Sequence, residues 1–268
     1  MKIIVFILMA ILPALSLSGQ RGEIVPGSYV PGRAAAAYTG RWQPMHNPSA
    51  AAVASHTELS VTYENRYITR ELSNKMVAAV VPTPYFNISA AFNHFGYSVY
   101  NEMLAAVGFS RDFGGWRVGV EADVYMVYLS PTERYATTVT ANVGAQVDVS
   151  PAVTLGFSMF NPCFSAVRSS PVQNLPVTVA VGVNWHIHEK VDWLVELDRE
   201  ISTLFHWKTG FEYRPFDVFT LRAGVYGADY AIPTLGVGFS IDDFRFEFHS
   251  ELNPRLGVTL LGSLGYDI

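Results

Sequence analysis

The chain has 268 residues, of which 50% are apolar, 13% aromatic and 15% charged, with a formal net charge of −5. Disorder is excluded, because it needs low hydrophobicity with high charge. A polyhelical membrane protein is excluded as well: the one long apolar run is 3–15, and a spanning helix needs about 20 such residues. The acidic balance offers no nucleic-acid footprint.

The first elements lie in the N-terminal fifth. Lys2 supplies a positive start, 3–15 an apolar stretch, and Ser16-Leu17-Ser18 small residues, which together read as a secretory signal peptide over 1–18, cut after Ser18 or Gly19. A membrane anchor is the alternative, for which the run is short. Cys163 is the single cysteine, so an exported chain of this kind has no internal disulfide and must rely on a large core or a closed sheet. Residues 19–56 contain Pro26, Pro31, Pro44 and Pro48 among many alanines and show no strand period. They are expected to form either a small plug inserted in a barrel mouth or a periplasmic tail.

From 57 to 268 the chain alternates. Strands are predicted over 59–67, 76–81, 86–95, 103–113, 116–128, 138–149 and 153–160. Seven more follow over 177–187, 191–200, 204–213, 219–226, 235–241, 244–248 and 258–268, which makes 14. Val139, Ala141, Val143, Ala145, Val147 and Val149 share one face, while Thr138, Thr140, Asn142, Gly144, Gln146 and Asp148 share the other. Period-2 alternation of this kind marks a strand with one apolar and one polar face.

Length, aromatics and connections favour a transmembrane antiparallel up-and-down β-barrel over a soluble secreted β-sandwich. The strand 116–128 reaches roughly 40 Å at ~3.3 Å per residue, enough to cross a bilayer core when tilted. Trp116 and Tyr128 bracket one strand, and Trp207 and Tyr213 another, as interfacial rings do. Short connections (82–84, 114–115, 150–151, 188–190, 214–217, 242–243) alternate with longer ones, of which 161–176 is the longest and 249–257 is also long. An even strand count returns both chain ends to the periplasmic side. A closed barrel satisfies every backbone group inside lipid without a helix, and it makes a hydrophobic protein without hydrophobic runs.

GRAAAAYTG at 32–40 and NPSA at Asn47–Ala50 resemble the small-residue start and NPA-type motif of FadL-like barrels, and more specifically the PorV/PorQ group of Bacteroidetes outer-membrane proteins. GFEYRPFDVFTLRAG at 210–224, PTLGVGF at 233–239 and LGVT at 256–259 resemble that group's C-terminal half. The resemblance implies about 14 strands, a place in the Gram-negative outer membrane and a motif role for Asn47 and Pro48. It also implies one of two functions: a component of the type IX secretion system, or a channel for hydrophobic compounds.

No catalytic or phosphate-loop pattern occurs, so no enzyme and no cofactor are expected. His186 and His188 form H-x-H on one strand face; zinc needs further ligands, so they read as polar residues near a turn and no metal is expected. Strand parity gives the candidate lumen set. If Val195, Leu197, Phe211, Tyr213, Leu221, Phe244, Phe246 and Phe248 face lipid, then Glu196, Asp198, Lys208, Glu212, Arg214, Arg222, Arg245 and Glu247 face inward. These charges either neutralise one another and stiffen the barrel or form a polar constriction that selects solutes. The expected partners are outer-membrane lipid, secretion-machinery proteins and a hydrophobic ligand. The leading expectation is a non-enzymatic scaffold or accessory component of a type IX-like export or surface-attachment machine. The alternative is a FadL-like channel for hydrophobic small molecules.

Overall fold

The computed structural model describes residues 27–130, 134–166, 175–201 and 205–268. The signal peptide read over 1–18, the opening of 19–56 and part of the connection 161–176 lie outside the described residues.

Alternation becomes 14 antiparallel strands. They are β1 (Glu58–Asn65), β2 (Ser73–Pro82), β3 (Asn87–Gly96), β4 (Tyr100–Asp112), β5 (Trp116–Leu129), β6 (Arg134–Ser150) and β7 (Val153–Phe160). Then come β8 (Thr178–His188), β9 (Val191–Glu200), β10 (Phe205–Phe216), β11 (Phe219–Gly227), β12 (Ala231–Ile241), β13 (Phe244–Asn253) and β14 (Gly257–Asp267). Each pairs with its neighbours in sequence, and β1 pairs with β14 from Glu58 opposite Asp267 to Asn65 opposite Leu260, closing the sheet. A soluble sandwich of two stacked layers is thereby ruled out. No helix among the described residues is long and apolar enough to cross a membrane; strands do the crossing.

Closure removes the sheet edges, so the faces decide what meets what. Val120, on the outer face of β5, is 55% exposed, while its inward neighbour Glu121 is 3% exposed and Asp123 fully buried. The same split runs round the barrel: Val61, Val77, Val107, Val139, Val181, Leu235 and Leu260 lie open on the outside. Aromatic rings cluster on that surface near the short turns. Trp185 lies 5.9 Å from Trp193, which stacks on Phe211 at 5.8 Å, while Phe219 meets Phe239 at 5.0 Å and Phe244 meets Tyr266 at 4.8 Å. Amphipathic rings collect at the level where hydrocarbon gives way to headgroups.

The strands run longer than periodicity alone predicts. β13 continues from Phe248 through His249, Ser250, Glu251 and Leu252 to Asn253, so the expected long connection 249–257 shrinks to 254–256. The inward His249, Glu251 and Asn253 are all buried; the outward Ser250 broke the apolar pattern. β12 starts at Ala231 and passes through Pro233, and β10 runs past Tyr213 through a register shift. β1, by contrast, stops at Asn65, because Tyr67 and Ile68 turn into the left-handed region at φ 57° and 54°. Several connections at the loop end (97–99, 228–230, 254–256) are consequently about as brief as those at the turn end.

Residues 27–56 form no strand. They run inside the barrel as an inner segment with two short 3-10 turns, Pro31–Arg33 and Pro48–Val53. Val30, Ala34, Ala35, Ala36, Ala37, Tyr38 and Ala51 are all buried there.

Candidate functional site: the lumen and its inner segment

A backbone can approach a sheet closely only where the sheet carries no side chain. Three glycine pairs face each other across neighbouring strands: Gly119 with Gly144, Gly156 with Gly182, and Gly210 with Gly224. All six point inward, and each pair seats one stretch of the inner segment. Asn47-Pro48 lies on the first, Ala36-Ala37 on the second and Pro31-Gly32 on the third. A Cβ at Gly210 would fall 2.5 Å from the Cβ of Pro31, nearer than carbon atoms pack. Gly32 itself sits at φ 58° against the backbone of β10 and β11, a conformation that glycine adopts without strain.

Polar groups then fix the segment in place. Gly32 N donates to Thr234 Oγ1 at 3.1 Å and Ala36 N to Glu196 Oε2 at 2.6 Å. Gln146 Nε2 donates to the carbonyls of Ala36 and Tyr38 at 3.2 and 3.0 Å. Asn47, an expected motif residue, is 1% exposed; its Oδ1 accepts from Ser49 N at 3.0 Å and caps the Pro48–Val53 turn, while its Nδ2 donates to Ala36 O at 2.5 Å. Pro48 opens that turn at its first position, where a missing N–H costs nothing. Three side chains of the segment reach wall carboxylates. Arg33 forks onto Glu251 (2.5 and 2.9 Å), the Tyr38 hydroxyl donates to Glu212 Oε2 at 2.9 Å, and Arg41 forks onto Asp267 (3.2 and 3.0 Å). Burial, with Glu212 beside it, pushes the Tyr38 phenol well up, so the hydroxyl stays a donor.

The eight inward charges read from parity fall into three groups on the lumen wall. Lys208 Nζ bridges Glu196 at 2.8 Å and Asp198 at 3.0 Å, with His206 on Asp198 at 3.2 Å. Arg222 holds Glu212 at 2.7 Å and also Glu247, while Arg214 ties Glu212 at 2.5 Å to Asp192 at 2.8 Å. Arg245 reaches Asp267 at 2.5 Å and Glu58 at 3.7 Å across the β1–β14 seam. The charges are paired with one another and with the inner segment. Several participants went unread, among them Arg33, Arg41, Glu58, Glu64, Asp192, His206, Glu251 and Asp267. Glu64 could have been found by parity from Val61 and Tyr63, whereas Glu251 lay in a stretch read as a loop.

On the opposite side of the lumen an apolar patch lies among buried polar residues such as Ser89, Asn93 and Glu121. Met76, Ala78, Val80, Ala91, Leu104, Ala106, Tyr125 and Val127 point inward from β2–β5 and are buried. Most of them pack with Trp42, Met45, Ala50 and Ala51 of the inner segment. The wall there is built largely of alanine. On its outer side lies an open apolar hollow of about 610 Å³, lined by Val61, Val77, Ala79, Ala90, Phe92, Ala105 and Val107 among others.

His186 and His188 do not converge. His186 bonds Asp192 at 2.6 Å, while exposed His188 accepts from Lys190 N at 3.3 Å beyond a register shift. His56, Glu58 and Asp267 bring three ligand atoms within 4.8 Å of one another, but Arg41 and Arg245 already answer both carboxylates. Cys163 is exposed.

No protein-family model and no curated protein matches the chain. Solved structures match it in fold. The Pseudomonas putida toluene transporter TodX superposes with a TM-score of 0.69 at 11% identity, over 91% of this chain and 97% of that one. The CymD monoaromatic hydrocarbon channel gives 0.62 at 10% identity, over 87% and 94%. A Pseudomonas aeruginosa FadL homologue gives 0.58 at 12% identity, over 91% and 96%. At that identity the likeness is one of fold. The architecture, a closed 14-strand barrel with an apolar exterior, is that of an outer-membrane β-barrel. Within that class its fold is similar to those of TodX and the FadL homologue. Two of these neighbours are named for transport, a toluene transporter and a monoaromatic hydrocarbon channel, and none of the three is named for secretion.

Proposed function

We propose that this chain is an outer-membrane channel for small hydrophobic compounds, with the inner segment as its plug. The observation that carries the reading is the apolar sector of the lumen on β2–β5. A water-filled pore gains nothing from Met76, Leu104, Tyr125 and Val127 facing inward, whereas an apolar solute is desolvated by them. The names of the structural neighbours, a toluene transporter and a monoaromatic hydrocarbon channel, support the same solute class. Only a thin alanine wall parts this sector from the hollow outside.

Uptake of a labelled monoaromatic hydrocarbon into Gram-negative cells expressing the chain tests the proposal. Uptake is expected above the empty-vector level and is expected to fall in Ala91→Arg, which puts a charge into the apolar sector. Uptake equal to the control in cells with correctly folded barrel overturns the channel reading.

A second reading keeps the chain as a non-enzymatic accessory subunit of a type IX-like export or surface-attachment machine. It rests on the sequence resemblance to the PorV/PorQ group and on how tightly Glu196, Glu212, Glu251 and Asp267 clamp the inner segment. Co-purification of partner proteins from native membranes supports it; recovery of the barrel alone counts against it.

A further inference from the structure

The register of the sheet stacks the outward side chains of β14 and β1–β4 in rows. One row runs Leu264, Val61, Val77, Phe92 and Ala105. The next row toward the short turns runs Tyr266, Leu59, Ala79, Ala90 and Val107. Both line the outer hollow of about 610 Å³, whose lining is apolar but for Ser60. The hollow exists because Ala79 faces Ala90 across two strands while the bulkier Leu59 and Val107 flank the pair. The inner face is equally spare at this place, with Ala78 opposite Ala91.

The row on the loop side of the hollow differs. It runs Gly262, Tyr63, Lys75, His94 and Met103, with adjacent side chains that can donate hydrogen bonds and no acid. Lys75 lies two positions from Val77 on β2, about 7 Å along the strand. A lysine on a lipid-facing surface is unfavourable unless its ammonium reaches water or an anion. Two other outward cations are answered by rings: Arg111 lies 5.0 Å over Phe113 and Arg199 lies 4.8 Å over Phe205. Among the described residues Lys75 meets neither a ring nor a carboxylate. The Nδ1 of His94 beside it has no partner, and the Tyr63 hydroxyl accepts from Asn65 Nδ2 at 3.5 Å and keeps its own hydrogen to donate.

We infer that this outer face binds a phosphorylated, multiply acylated lipid of the outer leaflet, of the lipid A type. An acyl chain lies in the alanine hollow, and a phosphate sits on Lys75 between Tyr63 and His94. Lysine answers phosphate as a point charge. Outer-membrane barrels turn their short connections to the periplasm, and Lys75 is the third residue of β2, just past the connection 66–72 at the opposite end. The ammonium therefore stands at the outer-leaflet level with the hollow beneath it, so charge and depth both match an anionic head over a hydrocarbon tail. A second copy docked symmetrically through the same face would set lysine against lysine. The site does not depend on what the barrel transports.

The test uses the full mature chain, purified and delipidated in detergent, with heat-modifiable gel mobility as the folding check. Bisphosphorylated lipid A is titrated in, and bound lipid is counted by native mass spectrometry. The expected result is a single lipid per chain, weaker binding of the same lipid with its phosphates removed, and no retention of inorganic phosphate alone. Lys75→Ala is expected to weaken binding about tenfold, through the lost charge-assisted bond, and Lys75→Arg to keep it. Ala79→Leu, which fills the hollow and leaves the charge in place, is expected to weaken it too. Wild-type affinity in Lys75→Ala or in Ala79→Leu, or equal affinity for the dephosphorylated lipid, overturns the inference. Dimers that form in place of lipid binding and are lost in Ala79→Leu overturn it as well, by giving the hollow to a second copy. None of these readouts measures uptake, so the channel reading stands or falls separately.

Discussion

On one side of the lumen, β2–β4 and the loop-ward half of β5 meet the inner segment with Ala78, Ala91, Leu104, Ala106 and Tyr125. On the other side, β9–β14 meet it with Glu196, Glu212, Arg222, Glu247 and Glu251. Apolar contact is non-directional and survives sliding, whereas a forked arginine–carboxylate pair exists in one geometry only. The charged side therefore fixes the register of the inner segment through several ion pairs, whereas on the apolar side Asn87 of β3 ties it, donating to the carbonyls of Ala51 and Ala54. If the segment moves to admit a solute, it swings away from β2–β4 while its Arg33 and Tyr38 ends stay anchored.

Four single substitutions and one double variant sharpen or break this contrast. The largest effect is expected for Arg222→Leu, which strands Glu247 without its cation and leaves Glu212 to Arg214 and Tyr38. Breaking a buried pair in this way costs about 4 kcal/mol, read as a lower unfolding midpoint in denaturant with heat-modifiable gel mobility as the folding check. Adding Glu247→Gln to that variant is expected to recover part of the loss, because the uncompensated charge disappears. Leu104→Ala, on the apolar side, is expected to cost about 3 kcal/mol through the cavity it leaves. It should be insensitive to ionic strength, and a salt-dependent loss would contradict the division of the wall. Gly210→Val is expected to cost about 2 kcal/mol by overpacking. It should displace the Pro31-Gly32 stretch and raise single-channel conductance in planar bilayers without unfolding the barrel. Asn47→Ala is expected to cost about 1 kcal/mol through the lost cap, with a small rise in protease cleavage of the inner segment.

The barrel was legible because lipid imposes a strict rule on it. Where both faces obey it, as at Val139 to Val149, every side chain announces its direction. The rule fails where outward residues are polar, as at Ser250, and the inner half of β13 was read as a loop for that reason. The inward direction of Glu196, Lys208, Glu212 and Arg222 followed from parity alone. Their partners did not, because pairing across strands and with the inner segment depends on register, which alternation leaves open. The glycine seats were visible as glycines at polar-parity positions, Gly119 and Gly144 among them. What they seat could not be read, since a segment without period carries no signal of where it lies. Glu121 and Asp123 were part of the same alternation, and only their lack of cationic neighbours among the described residues, a three-dimensional property, sets them apart.

Arg41 touches both lips of the barrel seam, Glu58 at the head of β1 and Asp267 at the foot of β14. A residue that precedes the first strand by only a short stretch thus grips the final one. Until the last strand has been synthesised and zipped, half of that grip has nothing to hold. Completion of the wall and docking of its contents are therefore one cooperative step, and a chain truncated before Asp267 would lose both together.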